Sequence, residues 1–483
     1  MTDTSPVFVG RKDELERLNS LLGKKSASLV VVKGRRRIGK SRLVEEFAKG
    51  KRFLVFSGIP PIEGTTAQSQ RDVFARQLGA QVGLPSIQAQ DWSDLFSLLT
   101  RFTFERQVVI LFDEISWMGS KDPLFLGKLK NAWDLEFKKN PHLVLIFCGS
   151  VSTWIEKNII SSTAFFGRIS LYLTLEELPL NDCSKLLDLQ GFRGSIYEKF
   201  KLLSVSGGIP WYIEQIQSTL NADDNIKNLC FLKDGILFKE FDLIFHDLFE
   251  RRSEIYQPIV ESLAEGSKEF NEISKALKYQ KSGALSTYLD DLMQSGFITR
   301  DYTWSIKSGK PLRLSHFRLS DNYLRFYLKF IKPNAYKILE DSFKDIKIDN
   351  LPGWKTILGL QFENLVLKNR KKIWERLKIE SEDIIVNNPF FQRKTTRTPG
   401  CQIDYLIQTR FNTLFACEIK FSQKELKSEI IKEMQDKLDR FILPRRFSCW
   451  PVLIHVNGVD ENVIDRGYFT KVIDFSEFLE DLS

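Results

Sequence analysis

Two groups of residues in this 483-residue sequence have the types and spacing to act on phosphate. The first is Gly34-Arg35-Arg36-Arg37-Ile38-Gly39-Lys40-Ser41, which fits G-x-x-x-x-G-K-[ST]. It follows the apolar run Val30-Val31-Val32 and precedes a helical stretch from Arg42 to Lys49. In that order, backbone N–H groups and a helix N-terminus converge on phosphate oxygens. Gly34 and Gly39 permit the tight turn, Lys40 would reach the β- and γ-phosphates, and Ser41 would offer a hydroxyl to Mg2+. Further on, Val108 to Phe112 reads as a buried strand ending in Asp113-Glu114. Asp113 would hold that Mg2+ through water, and Glu114 would orient and polarise a water for in-line attack on the γ-phosphate. The chemistry would be hydrolysis of a nucleoside triphosphate; the competing explanations are a chance glycine turn and an Asp-Glu pair that only caps a helix.

The second group lies near the other end. Cys401 to Ile407 and Leu414 to Lys420 read as two strands joined by a turn at Arg410 to Asn412. Strand alternation puts Glu418 and Lys420 on one face, Asp404 falls on the partner strand, and Glu363 would arrive from the helix that Gly359 opens. Asp404, Glu418 and Glu363 offer hard oxygen ligands for Mg2+, and Lys420 would hold or activate a water attacking a phosphodiester. A hairpin with one acid and one base on its wet face would imitate the pattern. The flanking residues are otherwise apolar, however, and half-buried charge without a ligand is costly. Lys368, Arg370, Lys371, Lys372, Arg376, Arg393, Lys394 and Arg397 would track a phosphate backbone, or simply form a solvated face.

A chain of this length is expected to hold two to four domains. Hydrophobic residues make up 43%, and Lys plus Arg exceed Asp plus Glu by 70 to 62, a mild excess that permits nucleic-acid contact without requiring it. The six cysteines form no C-x-x-C pair and the four histidines are dispersed, so any metal chemistry falls to carboxylates. No apolar run approaches the roughly eighteen residues that cross a bilayer. Met1 to Pro6 is polar, so the expectation is a cytoplasmic protein without membrane partners.

Several further elements would position the first group. Phe53 to Gly58 and Leu143 to Cys148 read as strands, the latter ending in Gly149-Ser150, and Thr66 to Val82 and Trp92 to Phe104 as helices. Arg168, before the strand Ile169 to Leu173, would stabilise charge on a transferred phosphoryl group, in cis or from a neighbouring subunit, or else form a surface salt bridge. Leu180 to Leu220 is helical with a break at Gly207-Gly208, where Pro210 suits a first helical turn.

Phe8-Val9-Gly10-Arg11-Lys12-Asp13-Glu14-Leu15 resembles the Val-Gly-Arg-x-x-Glu-Leu box that lies beside the adenine in P-loop ATPases of the AAA+ and STAND groups. That resemblance implies nucleotide contacts from Val9, Gly10 and Arg11. The phosphate loop, Phe112-Asp113-Glu114, Cys148-Gly149-Ser150, Gly167-Arg168 and Gly207-Gly208-Ile209-Pro210-Trp211-Tyr212, in this order, resemble the archaeal-type ATPase family of the STAND class. The family implies ATP and Mg2+, an α/β P-loop NTPase fold with a RecA-like or AAA+-like parallel sheet, and a helical lid. It also implies Ser150 as a γ-phosphate sensor, Arg35 to Arg42 and Pro210 at the nucleotide, nucleotide-dependent homo-oligomers, and switch-like use of ATP.

From Glu254 to Ser320, three short helical stripes and a hairpin with Lys307, Lys310 and Arg313 near its tip look like a winged helix-turn-helix, for DNA contact or for protein packing. Leu319 to Tyr327 is an aromatic-rich helix suited to packing. Asp404 followed by Glu418-x-Lys420 resembles the PD-(D/E)xK nuclease superfamily, although Gly400 to Ile403 stands where its proline would often be. The expected order is an ATPase core at 1–175, a lid at 176–250, a winged helix-turn-helix at 251–332, a linker at 333–353 and an α/β nuclease-like domain at 354–483. Two functions follow: an ATP-dependent switch controlling a DNA-directed nuclease-like domain, or a non-nucleolytic, ATP-gated DNA- or protein-binding regulator.

Overall fold

Strands made of unbroken apolar residues need cover on both faces, which favours a parallel sheet flanked by helices. Ser28–Lys33 (β1), Arg52–Ser57 (β2), Val108–Asp113 (β3), Leu143–Gly149 (β4) and Ile169–Thr174 (β5) form such a sheet in the computed structural model. Their order is β2-β3-β4-β1-β5, all parallel, so β4 lies between the strand leading to the phosphate loop and the strand ending in Asp113. The structure describes residues 8–480 apart from 86, 105–106, 151, 250–252, 280–282 and 397. Arg397, named above, lies outside the described residues. Phe56 stacks on Phe74 of the Ala67–Val82 helix with centroids 4.2 Å apart, and Trp92, Phe96 and Phe112 extend this core. Each large side chain so buried contributes about 1.5–3 kcal/mol.

The chain divides after Glu177 into two compact units. In the second, the Leu180–Leu189, Ile196–Ser206 and Pro210–Glu214 helices come first. Ser195 and Glu198 close a capping box on the second of these, and Pro210 occupies the first turn of the third, where its missing N–H costs nothing. The Ser253–Ser262, Phe270–Ala276 and Gly283–Gln294 helices follow, with a short strand Lys268–Glu269 (β6) and the antiparallel pair Ile298–Trp304 (β7) and Pro311–Leu319 (β8) in the order β6-β8-β7. Lys307, Lys310 and Arg313 are exposed near the turn between β7 and β8. The body of this hairpin is docked: Thr303 Oγ1 donates to Phe391 O at 3.1 Å, Trp304 Nε1 donates to Gln408 Oε1 at 2.6 Å, and His316 stacks on Phe391.

The linker expected at 333–353 is corrected. Its proline, glycine and broken periodicity mark short turns, Ala335–Leu339 and Ile348–Asn350, which bury Ile338, Phe343, Ile348 and Leu351. Asp349 there is paired with Lys201 at 2.9 Å. Ile384–Gln392 (β9), Cys401–Thr409 (β10), Thr413–Phe421 (β11), Ser448–Val456 (β12) and Lys471–Asp474 (β13) then form a mixed sheet in the order β13-β12-β11-β10-β9. The Trp354–Lys368 helix packs Phe362 against Phe421 and Phe475. The Glu429–Arg440 helix buries Ile430, Ile431 and Met434 in the core that Ile403, Leu406 and Ala416 line. Among the described residues, no helix is long and apolar enough to cross a membrane.

Candidate functional site

The phosphate loop leaves β1 at a position that only glycine fits. Gly34 has φ +152°, and a Cβ there would stand 2.6 Å from the carbonyl oxygen of Leu175. Gly39, at φ 90°, turns the chain into the Lys40–Ala48 helix, while Ile38 is buried and anchors the middle of the loop. Lys40 folds back over the loop, with Nζ donating to Gly34 O at 3.1 Å and Arg35 O at 3.0 Å. Those carbonyl bonds are ones that phosphate oxygens can displace. Arg11 supports the same loop: it donates to Ile38 O at 3.2 Å and Glu176 O at 2.6 Å and pairs with Glu14. In this arrangement Arg11 is a brace for the loop.

At the carboxyl ends of β3 and β4 two acids are held by neutral partners. Ser41 Oγ donates to Asp113 Oδ2 at 2.7 Å, and the Glu114 N–H donates to Asp113 Oδ1 at 3.0 Å. Ser150 donates to the Glu114 carboxylate from its N–H at 3.2 Å and its hydroxyl at 3.1 Å. Burial raises the Glu114 carboxyl above its ordinary value; Lys40 opposes the shift and the Asp113 charge adds to it. A carboxylate raised in this way is a better proton acceptor at neutral pH. Ser150 thus touches the Glu114 carboxylate through both its backbone and its side chain. Arg168 forks onto Asp134, at 2.9 Å through Nε and 2.8 Å through Nη2, forming an ion pair near the surface.

In the C-terminal sheet, the antiparallel register of β10 and β11 brings Asp404 and Glu418 together. Lys437, from the Glu429–Arg440 helix, donates to Asp404 Oδ1 at 3.2 Å and Glu418 Oε2 at 2.5 Å. The other Asp404 oxygen accepts the Ile419 N–H at 3.0 Å. Lys420 Nζ lies 3.1 Å from Glu418 Oε1 and 2.8 Å from Glu433. Glu418 is only 1% exposed, and its Oε1 accepts no well-directed hydrogen bond despite that ion-pair distance. Burial and the Asp404 charge raise the Glu418 carboxyl, against Lys437. Glu363 is pushed up to about 7 by burial and by Asp404, with Arg325 and Arg318 opposing. Among the described residues, no three His, Cys, Asp or Glu side chains are gathered closely enough to hold a metal ion, so Glu363 does not join Asp404 and Glu418 as a third ligand here.

Residues 8–216 match the family model described as an ATPase domain predominantly from Archaea. They form a P-loop ATPase domain of the archaeal type. An uncharacterized protein of Methanocaldococcus jannaschii is 25% identical over 441 residues, 90% of this chain and 91% of its own length. An uncharacterized ATP-binding protein of the same organism is 41% identical over 47 residues, 10% of this chain and 80% of its own. Among solved structures, the Walker-type ATPase of Pyrococcus abyssi is similar over 67% of this chain and 96% of its own, with 16% identity and a TM-score of 0.46. The ORC2 protein of Aeropyrum pernix is similar over 70% and 96%, with 13% identity and a TM-score of 0.42.

The ATPase domain thus gathers Gly34, Lys40, Ser41, Asp113, Glu114 and Ser150 at the ends of three neighbouring strands, where open parallel sheets bind ligands. Sequence reasoning missed Lys437. It also missed the buried cluster beneath Glu363, in which Arg325 donates to Gln361 Oε1 at 3.0 Å and to Leu319 O at 2.6 Å. The signal for Lys437 was present: it follows Met434 by three residues and Glu433 by four, which puts it on the covered side of its helix.

Proposed function

We propose that this ATPase is a switch whose nucleotide state controls a Mg2+-dependent, DNA-directed, nuclease-like site in the C-terminal sheet. The observation that carries the reading is the pair Asp404 and Glu418, on adjacent strands, sharing one cation between them, with Lys420 beside Glu418. On the nucleotide side, Lys40 would exchange the loop carbonyls for the β- and γ-phosphates, Ser41 and Asp113 would hold Mg2+, and Glu114 would orient and polarise the attacking water. Val9 and Gly10 would complete the nucleotide contacts. Arg168 acts on a phosphoryl group only if freed from Asp134, which a neighbouring copy in a nucleotide-dependent oligomer would have to bring about.

On the second side, the carboxylate oxygens of Asp404 and Glu418 are the hard donors Mg2+ prefers, which supports the PD-(D/E)xK reading. Mg2+ would offset charge building on a phosphodiester; Lys420 would hold the attacking water, and Asp404 and Glu418 would fix the ion's place. The three helices and hairpin from 253 to 319, read as a winged helix-turn-helix, would bring exposed Lys307, Lys310 and Arg313 to phosphates. The lid helix Ile196–Ser206 supports control of the site. Ser204 O accepts from Gln361 Nε2 at 2.9 Å, two residues before Glu363, and Tyr197 stacks on Phe421, next to Lys420. A cytoplasmic location belongs to the same reading.

Labelled single- and double-stranded DNA, incubated with the full chain with and without ATP and Mg2+, tests the proposal. Cleavage that disappears in Asp404→Ala supports it, and the absence of cleavage under every condition refutes it. A non-nucleolytic regulator is the second reading, favoured by the way Lys437 caps the acidic pair.

A further inference from the structure

Two buried carboxylates on facing strands repel each other and lose hydration, a combination that survives only with a cation close by. At Asp404 and Glu418 that cation comes from the protein itself. The Lys437 ammonium contacts one oxygen of each acid, at 3.2 and 2.5 Å, from a side chain only 22% exposed. The same helix places Glu433, one turn earlier, 2.8 Å from Lys420. One helix therefore neutralises both halves of the site. Its last turn is fastened to the strands below: Cys401 Sγ donates to Lys437 O at 3.3 Å, and Gln392 Nε2 donates to Arg440 O at 2.8 Å.

A divalent ion held by Asp404 and Glu418 needs the very oxygens that Lys437 holds, and a second cation at that distance would be repelled. We propose that Lys437 is a built-in cation occupying the divalent-ion position of Asp404 and Glu418, so that an ion binds there only when the Glu429–Arg440 helix withdraws the ammonium. The inference rests on reading Asp404 and Glu418 as an ion site; it does not require that the site cut DNA. Glu418 Oε1, which pairs with Lys420 and not with Lys437, is the oxygen from which the exchange would start.

Mn2+ is the probe. Its binding to the nucleotide-free full chain is followed by electron paramagnetic resonance for the unaltered protein, Lys437→Met and Lys437→Met/Glu418→Gln, with circular dichroism melts to establish folding. Lys437→Met should bind Mn2+ roughly ten- to a hundredfold more tightly than the unaltered protein, and the double variant should lose that gain. Lys437→Gln, which keeps a hydrogen-bond donor without the charge, replaces Lys437→Met if the latter does not fold. Equal affinity of the unaltered protein and a folded, neutral variant overturns the proposal, as does a gain that survives Glu418→Gln. Cleavage of labelled DNA is recorded on the same samples. Tighter Mn2+ binding without cleavage upholds the role of Lys437 and rejects the nuclease reading.

Discussion

The ATPase domain and the C-terminal sheet each set two acids beside a lysine, yet they hold the acids in opposite ways. In the first, hydroxyls and N–H groups do the holding: Ser41 on Asp113, Ser150 on Glu114, with Lys40 resting on carbonyls of its own loop. Neutral partners fix geometry and leave the charges to be matched by an incoming ligand, so the site is poised for exchange. In the second, ammonium groups do the holding, from Lys437 on both acids and Lys420 on Glu418. The charges are already matched, and a ligand must first displace something. One pair of acids is therefore left to be matched from outside, while the other is matched from within.

The sharpest way to break this contrast is to remove the groups on which each side depends. Asp404→Ala or Glu418→Ala should abolish Mg2+-dependent DNA cleavage and leave steady-state ATP hydrolysis unchanged; parallel loss of both activities would mean the acids serve folding instead. Lys40→Ala should lower ATP turnover on the order of a hundredfold or more and abolish binding of a fluorescent nucleotide. Glu114→Gln should cut kcat by about 10²–10⁴ with little change in nucleotide Kd. Ser150 donates to Glu114, so adding Ser150→Ala to Glu114→Gln should cost nothing further, and an additive loss would give Ser150 a separate role.

Smaller effects test the scaffold. Arg325→Met removes three hydrogen bonds, to Leu319 O, Leu360 O and Gln361 Oε1, and should cost about 1–3 kcal/mol in denaturant unfolding of the second unit. A last, weaker effect concerns pH. Burial pulls both His316 and His455 below their ordinary value of 6.5, opposed by nearby carboxylates, so the unfolded chain takes up protons first. Their contribution to stability is complete above about 6.5 and is lost as the pH falls through the lowered folded value. His316→Phe, which keeps the stack on Phe391, should flatten that acid limb in thermal melts.

The contrast also explains what the sequence made legible. The ATPase site is local: β1, its loop and the Lys40–Ala48 helix are contiguous, and Asp113-Glu114 ends a strand whose apolar run is plain. The contact of Ser150 with Glu114 was hidden, because it depends on β4 lying next to β3. Asp404, Glu418 and Lys420 could be read from alternation across one hairpin. Lys437 was obscured by a helix carrying charges of both signs, which reads as a solvated face until Ile430, Ile431 and Met434 are recognised as its buried side. The segment 333–353 misled for the opposite reason: short turns erase periodicity even where Ile338, Ile348 and Leu351 are buried.

The most direct test of nucleotide control is the rate of Mg2+-dependent DNA cleavage by the full chain, measured with ATP, without nucleotide, and in Lys40→Ala. The expected result is a rate that changes when ATP is added to the unaltered protein and does not respond to ATP in Lys40→Ala. An identical rate in all three, or an ATP response that persists in Lys40→Ala, would contradict it.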